Sequence, residues 1–316
     1  MLSSLKKKWE LHLIAASVVS VSIIFVYGFT RFSSFKHKFV ALLKQEPFQP
    51  HEIITARDAS YILYGNGETD TNTDKSLHKC IRSMTSKQTP GERRLAGKPE
   101  QLHYSQFGQS QYVDKLLKGR HNGVFLECGA SDGVTLSNSL FFEIHRNWTG
   151  ILIEANPERL KSLIKTNRNA FVVRACLSVT EKPYLARYTM PNNVGGAVSS
   201  SLTEYEIKIF KSYSKSRVLP EIYVQCFPLT SILDALNIHH IDYLSLDVEG
   251  SEIEILRTVN WRKLTVDVLT IEYNRHLDRL RKLRTLFNKT GVYKEAQILP
   301  LGSNEKSGID VVFTHR

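Results

Sequence analysis

From residue 124 onward, the chain alternates short apolar runs with amphipathic stretches. Such alternation is typical of a parallel sheet covered by helices. It predicts strands at about 124–127, 150–154, 171–174, 242–247 and 266–272, followed by an antiparallel pair at 292–299 and 309–314. It predicts helices at about 110–118, 136–145, 157–167, 230–236, 251–257 and 276–287. The predicted fold is therefore α/β and doubly wound, with a Rossmann-like, mostly parallel sheet that ends in an antiparallel edge hairpin.

An insertion at about 181–228 interrupts this pattern between the third and fourth strands. It contains a glycine and serine run at 195–201 and several tyrosines. Loops at the carboxyl ends of parallel strands usually carry the substrate site. The insertion is therefore either a mobile lid or an inert surface hairpin, and the pattern does not choose between them.

The N-terminal third of the chain follows a different pattern. Residues 11–29 form an uncharged, mostly apolar segment, and a helix of that length spans roughly 28 Å. The sequence predicts a cytosolic tail at 1–10, a transmembrane signal anchor at 11–29, a stalk at 30–100 and the α/β domain at 101–316. A cleavable signal peptide is the alternative, although the small residues at 15–17 fall early for a cleavage site. The predicted topology is single-pass and type II, with the domain luminal or extracellular.

Composition changes this picture little. Part of the net charge of +11 flanks the apolar segment, and most remaining basic residues are dispersed, which predicts no nucleic-acid partner. The four cysteines are too few and too scattered for a disulfide scaffold, and none has metal-site spacing. In a luminal domain, Cys80 and Cys226 can pair.

The stretch at 125–133 is a buried strand that runs into a glycine-bounded turn. Gly129 and Gly133 allow a close approach of the backbone to a ligand, and Glu127 stands near the end of the strand. Glu154 ends the next strand, at the spacing that presents a carboxylate to a ribose. A dinucleotide site would have a third glycine, and an acidic turn without basic residues suits the positive sulfonium of S-adenosylmethionine better than a phosphate.

A second acidic cluster at 247–252 repeats the order of strand, acid, glycine and helix start. Asp247 and Glu249 are the predicted catalytic residues, because an acid that ends an apolar strand at the ligand edge is partly desolvated. Glu252 alone is better explained as a helix cap. Asp247, Glu272 and Asn274 offer oxygen ligands for a hard divalent ion, but the sequence favours no metal site.

These motifs resemble the FkbM-type methyltransferases over roughly 123–316, in the stretches 127–133, 153–157, 241–250 and 271–272. The resemblance implies a seven-stranded S-adenosylmethionine-dependent sheet, with Glu127, Gly129 and Gly133 around the methionine part of the cofactor and Glu154 on its ribose. Enzymes of this family methylate hydroxyl groups of sugars, polyketides or similar molecules. The stretches 129–138 and 148–154, behind a membrane segment, are also similar to the Star-like branch, whose members are associated with moving a membrane cargo from the endoplasmic reticulum to the Golgi.

The sequence therefore predicts a membrane-anchored O-methyltransferase with S-adenosylmethionine as cofactor and a small-molecule or glycan acceptor. The alternative is a Star-like trafficking factor of the endoplasmic reticulum, Golgi, endosome or plasma membrane, with a membrane-protein cargo as partner and the fold retained without catalysis. A glycosyltransferase is disfavoured because the α/β domain lacks an Asp-x-Asp pair. The predicted cofactor-binding residues are Glu127, Gly129, Ala130, Asp132, Gly133, Glu154, Ala155, Asn156 and Cys176.

Overall fold

The computed structural model of the chain describes residues 73–88, 102–191, 196–214 and 219–316. The predicted tail, the predicted anchor at 11–29 and most of the predicted stalk lie outside these ranges. Within them, none of the helices combines the length and the apolar character that a bilayer span requires. The predicted architecture is corrected accordingly, because the observed α/β fold includes no transmembrane helix in its described part.

The described residues form twelve strands and eight α-helices. The strands are β1 Thr85–Lys87, β2 Val124–Cys128, β3 Thr149–Glu154, β4 Ala170–Arg174, β5 Cys176–Leu177, β6 Tyr184–Thr189, β7 Ala197–Val198, β8 Glu221–Phe227, β9 His240–Leu246, β10 Thr265–Glu272, β11 Tyr293–Leu299 and β12 Asp310–His315. The helices are α1 Thr73–Ser83, α2 Gln109–Leu116, α3 Leu140–His145, α4 Pro157–Lys165, α5 Glu204–Tyr213, α6 Leu229–Leu236, α7 Glu252–Thr258 and α8 Leu277–Thr290.

The main sheet has the strand order β1-β4-β3-β2-β9-β10-β12-β11. The five central strands, β4, β3, β2, β9 and β10, are parallel to one another. At one edge β1 pairs antiparallel with β4, and at the other β12 pairs antiparallel with both β10 and β11. The winding reverses between β2 and β9, which therefore form the topological switch point. Ligands of open α/β sheets bind in the crevice outside the carboxyl ends of the strands at such a point.

The sheet has eight strands, so the predicted number of seven is wrong. The additional strand is β1, where Thr85 pairs with Val173 and Lys87 with Phe171. With only three residues, all of them polar, β1 is too short to show an alternating apolar pattern in the sequence. Helix α1 packs its Ile81 side chain into the core, and Arg82 donates a hydrogen bond of 3.1 Å to the Ala235 carbonyl. Residues 73–87, which the sequence places in a stalk, thus belong to the folded domain.

The two faces of the sheet are each covered by an apolar cluster. Successive side chains of a strand point to opposite faces. Phe125 and Tyr243 are therefore opposite each other in one cluster, while Leu126 and Leu244 are opposite each other in the other, all of them fully buried. Burial on both faces explains the nearly continuous apolar runs of β2 and β9 in the sequence.

The predicted insertion contributes most of a second sheet, with the strand order β5-β8-β6-β7. A disulfide joins Cys176 of β5 to Cys226 of β8, which lie opposite each other in the register. The pairing of Cys80 with Cys226, which the sequence allows without requiring it, does not form, since Cys80 is a free cysteine of α1. The crossover that brings β5 alongside β8 cannot be read from cysteine spacing.

Candidate functional site

A cavity of about 630 Å³ opens outside the carboxyl ends of β2, β3, β9 and β10. Ligand pockets usually have volumes of roughly 300–1,000 Å³. Of the predicted site residues, eight line the cavity: Glu127, Gly129, Ala130, Glu154, Ala155, Cys176, Asp247 and Glu249. The other three, Asp132, Gly133 and Asn156, lie behind the wall and shape it through turns and caps. The fold thus brings the two acidic motifs of the sequence to one crevice.

Glu154 holds the two cofactor-type motifs together. Its Oε2 accepts a hydrogen bond of 2.6 Å from the Ser131 amide, and its Oε1 accepts one of 2.6 Å from the Asn156 amide. The side chain is 5% exposed. Burial raises the pKa of Glu154 to about 7, although the hydrogen bonds from Asn156 and Ser131 favour the charged form. The carboxylate therefore stands at the cavity wall with its position fixed by the backbone of both motifs.

Glu127 makes contacts that the sequence did not suggest. Its Oε2 accepts hydrogen bonds from the Ser137 and Ser139 hydroxyls, at 2.9 and 2.5 Å, and its Oε1 accepts one of 2.8 Å from the Asn138 amide. These contacts fix the segment that leads into α3. Asn138 in turn donates to the Ser245 hydroxyl of β9 at 2.9 Å. Glu127 thus positions the cavity wall in addition to lining it.

Arg168 is a second organising residue, and nothing in the sequence pattern marks it. Its side chain is fully buried and forms an ion pair with Glu143 at 2.5 Å. Its guanidinium also donates to the Gly133 carbonyl and, at 2.9 Å, to the Ser139 hydroxyl. Arg168 therefore ties the end of the glycine turn to the segment that holds Glu127.

The glycine turn itself depends on local geometry. Gly129 and Gly133 have φ angles of +82° and +76°, which L side chains rarely adopt. Asp132 closes the turn, since its carboxylate accepts hydrogen bonds from the Val134 and Thr135 amides at 3.0 and 2.7 Å. Asn156 caps α4 by accepting from the Glu158 amide at 3.0 Å. These contacts explain why Asp132, Gly133 and Asn156 support the wall without lining it.

Across the cavity, the ends of β9 and β10 carry a group of acids. Burial and the neighbouring charge of Glu249 raise the pKa of Asp247 well above its usual range. Burial and the charge of Asp247 do the same to the pKa of Glu272. Burial raises the pKa of Glu249 to about 7, with Glu252 adding a smaller effect. This side of the cavity therefore brings several acids close together, with Asp247 exposed and Glu249 and Glu272 partly buried.

The insertion supplies the remaining wall through Tyr188 of β6 and Phe210 of α5. A capping box between Thr203 and Glu206 begins α5. Glu206 also accepts a hydrogen bond of 2.9 Å from Arg279 of α8, which ties the insertion to the main domain. The insertion is thus neither inert nor remote from the site, since it forms part of the cavity wall.

Several cavity residues escaped prediction because their roles depend on distant contacts. Asn138, Ser245, Ser251, Tyr188 and Phe210 all line the cavity. None of them ends an apolar strand in the way that marks Glu154 or Asp247. The one available signal was the position of Ser251 beside the acidic cluster, which a helix cap explains equally well.

Comparison with solved structures finds several methyltransferases. The precorrin-6y C5,15-methyltransferase from Geobacter metallireducens GS-15 is 15% identical, with 70% of this chain and 93% of that chain covered and a TM-score of 0.35. A human methyltransferase 10 domain containing protein is 11% identical, with 77% and 97% covered and a TM-score of 0.35. The N-terminal domain of human METTL16 in complex with SAH is 12% identical, with 78% and 83% covered and a TM-score of 0.33.

Scores this low carry no conclusion about this protein. A search of curated proteins finds no match to the sequence. The family assignment rests instead on the family model of the methyltransferase FkbM domain, which matches residues 127–292, more than half of the chain. That range contains both acidic motifs, the insertion and the cavity-lining ends of β2, β3, β9 and β10. The chain belongs to the methyltransferase FkbM domain family.

Proposed function

We propose that this protein transfers the methyl group of S-adenosylmethionine to a hydroxyl group of a sugar or another small molecule. Family membership supports methyl transfer in general, and the chemistry of the cavity supports this cofactor and this kind of acceptor. The observation that carries the proposal is the placement of Glu154, whose buried carboxylate is fixed by the Ser131 and Asn156 amides at the cavity wall.

The wall residues fit the charge of S-adenosylmethionine. Five carboxylates line the cavity, namely those of Glu127, Glu154, Asp247, Glu249 and Glu272, beside two guanidinium groups, Arg159 and Arg275. An acidic cavity attracts a sulfonium and an ammonium group, and it repels phosphate. Glu154 is the residue that would hold the ribose hydroxyls, since a carboxylate accepts two hydrogen bonds from a diol. When bound, the cofactor supplies an electrophilic methyl group.

The acceptor side of the cavity fits a hydroxylated molecule. Asp247, Glu272 and Asn138 offer oxygen acceptors, while Tyr188 and Phe210 offer apolar and aromatic surface. Carboxylates form strong hydrogen bonds with hydroxyl groups, and aromatic rings pack on apolar faces of ring-shaped molecules. Positioning the acceptor oxygen accounts for much of the catalysis in such a reaction. A wall carboxylate takes up the proton that the hydroxyl loses.

Calorimetric titration of the full chain with S-adenosylmethionine and with S-adenosylhomocysteine tests the proposal. We expect dissociation constants on the order of micromolar, and we expect Glu154→Gln to weaken both by about 10–100-fold, because one of the two oxygens that accept hydrogen bonds from the ribose is replaced by an amide nitrogen that cannot accept. Glu158→Gln is the matched control, since Glu158 lies on the same segment with its side chain 62% exposed. Absence of binding by the folded wild-type protein would overturn the proposal.

The alternative that follows from the Star-like resemblance, a trafficking role without catalysis, remains a prediction, as do its cargo partner and its localisation. The titration separates the two functions. A folded wild-type protein that binds neither ligand would favour the trafficking role. Binding that Glu154→Gln weakens and Glu158→Gln does not would favour the enzyme.

A further inference from the structure

Three carboxylates converge where β9, α7 and β10 meet. Asp247 follows β9, Glu252 begins α7 and Glu272 ends β10. One oxygen of each lies within 4.8 Å of the oxygens of the other two. Glu252 is 1% exposed, and its Oε1 is fixed by hydrogen bonds of 3.0 Å from the Val248 and Gly250 amides. Glu252 is therefore held in place by the backbone, and an oxygen of each of the other two carboxylates lies close to it.

The neighbouring groups balance the charge of this cluster only in part. Arg279, whose guanidinium lies against Gly250, donates its hydrogen bond to Glu206 at 2.9 Å. Asp310, a further acid nearby, accepts a hydrogen bond of 2.6 Å from Gln109, which is neutral. Like charges at this separation repel each other. A bound cation would relieve this repulsion.

Independent evidence for a ligand comes from buried oxygens in the cavity wall. Glu272 Oε2, Ser251 Oγ and Asn138 Oδ1 are buried, and none of them has a hydrogen-bond partner among the described residues. Ser251 is 3% exposed and precedes Glu252 directly. A buried polar atom without a partner costs about 1–3 kcal/mol, so native proteins pair such atoms with water, an ion or a ligand. These atoms therefore mark a place where a ligand completes the structure.

We propose that Asp247, Glu252 and Glu272 bind a hard divalent cation, Mg²⁺ or Mn²⁺, at the inner end of the cavity. All three donors are carboxylate oxygens, which Mg²⁺ and Mn²⁺ prefer and which zinc and copper sites rarely use alone. Such an ion keeps several water molecules, and the open side of the cluster faces the cavity. The sequence favours no metal, because it shows Glu252 as a cap and does not show that the three acids meet.

The use of this ion rests on the proposed function, although its binding does not. A divalent cation beside the acceptor side of the cavity polarises a hydroxyl oxygen and makes its proton easier to lose. The three carboxylates would then act as ligands that position the ion, with Asn274 close by in the same wall.

Titration of the full chain with Mn²⁺ in the absence of cofactor tests the site, with free Mn²⁺ measured by electron paramagnetic resonance after the protein has been treated with chelator. We expect one ion per chain, with binding weakened by about tenfold or more in Asp247→Asn and in Glu272→Gln, since each loses a charged ligand. Glu254→Gln is the matched control, because Glu254 lies on the same helix with its side chain 46% exposed. It should bind Mn²⁺ as the wild type does.

Melting temperatures provide a second test, which keeps the proposal testable if a variant folds poorly. In chelator, both cluster variants should melt at or above the wild-type temperature, because each removes one carboxyl group from a crowded acidic cluster. Mg²⁺ should raise the melting temperature of the wild type and of Glu254→Gln, but not of the cluster variants. Wild-type protein that binds no Mn²⁺ at millimolar concentration, or cluster variants that bind it equally well, would overturn the proposal. Binding of Mn²⁺ without binding of S-adenosylmethionine would contradict the proposed function and leave the metal site intact.

Discussion

Gly129 lies directly against the backbone of Asp247: a Cβ atom on Gly129 would stand 1.9 Å from the Asp247 carbonyl oxygen. Next to this contact, the Asp247 amide donates a hydrogen bond of 3.2 Å to the Cys128 carbonyl. The cofactor-type turn after β2 and the acidic cluster after β9 are therefore in contact through their main chains. This contact makes the cavity a single site, because neither motif can move without the other.

We expect Gly129→Ala to lower the free energy of unfolding by about 2–5 kcal/mol, from backbone strain at positive φ together with steric overlap. Gly302→Ala is the matched control, since Gly302 has a similar φ of +87° with nothing within 4 Å of the added Cβ. It should cost only the strain, about 1–2 kcal/mol. Urea unfolding of the three proteins measures the difference. If both variants lost the same free energy of unfolding, the backbone at Asp247 would have to move aside for the added Cβ atom at little cost.

The central strands could be predicted from the sequence because both of their faces are buried. Continuous apolar runs place β2, β3, β9 and β10 within one or two residues of their observed bounds, and the acids that end these runs stand out for the same reason. Glu154 and Asp247 were found in this way. The short, polar strand β1 and the strands of the insertion lack such runs, which is why the sequence does not predict them.

The contacts that complete the site could not be predicted, because they join residues far apart in the sequence. Arg168 lies in a polar stretch between α4 and β4, yet it reaches back to Gly133 and Ser139 and is fully buried. Asn138 meets Ser245 across more than one hundred residues. Periodicity reports the surroundings of a residue along its own element, and it carries no information on which distant side chain fills a buried hydrogen bond.

The pKa of Glu154 makes stability depend on pH in a defined direction. Burial raises this pKa from 4.5 in the unfolded chain to about 7 in the folded protein. The unfolded state therefore loses its proton first as pH rises, so stability falls between pH 4.5 and 7 and levels off above. Between pH 4.5 and 7, the free energy of unfolding of Glu154→Gln should therefore rise by about 3 kcal/mol relative to that of the wild type.

Urea unfolding at several pH values measures this gain. Glu158→Gln, which changes an exposed residue, should show a difference from the wild type that stays constant with pH. Other buried carboxylates titrate in both proteins, and the comparison cancels their contributions. If the difference between the wild type and Glu154→Gln did not change with pH, the pKa of Glu154 would have to be the same in the folded and the unfolded state.

Arg168 should be among the most sensitive positions of the domain. Arg168→Met leaves Glu143 buried without its ion-pair partner and frees the Gly133 carbonyl, so we expect a loss of about 3–5 kcal/mol in the free energy of unfolding. Arg168→Lys keeps the charge but loses the planar fork and should have a smaller effect. Arg262→Met, at an exposed position, should change stability by less than about 0.5 kcal/mol. Chemical unfolding provides the measurement. A loss of less than about 1 kcal/mol in Arg168→Met would indicate that the buried ion pair is not needed for folding.

The disulfide between Cys176 and Cys226 should stabilise the cavity wall on the side of the insertion. The two cysteines are 50 residues apart, and closing a loop of that size stabilises a folded protein by about 2–4 kcal/mol. We therefore expect a reducing agent to lower the free energy of unfolding of the wild type by this amount. It should have no such effect on a Cys176→Ala/Cys226→Ala double variant.

Cys80→Ala separates this disulfide from a pairing through the free thiol of α1. Because Cys80 lies outside the bridge, that variant should remain as sensitive to the reducing agent as the wild type. Alkylation of the denatured, unreduced wild type should modify Cys80 and Cys128 alone, which mass spectrometry of the peptides detects. Modification of Cys176 or Cys226 under these conditions would contradict the pairing. The stability of the insertion would then depend on its capping box and on the ion pair of Glu206 with Arg279.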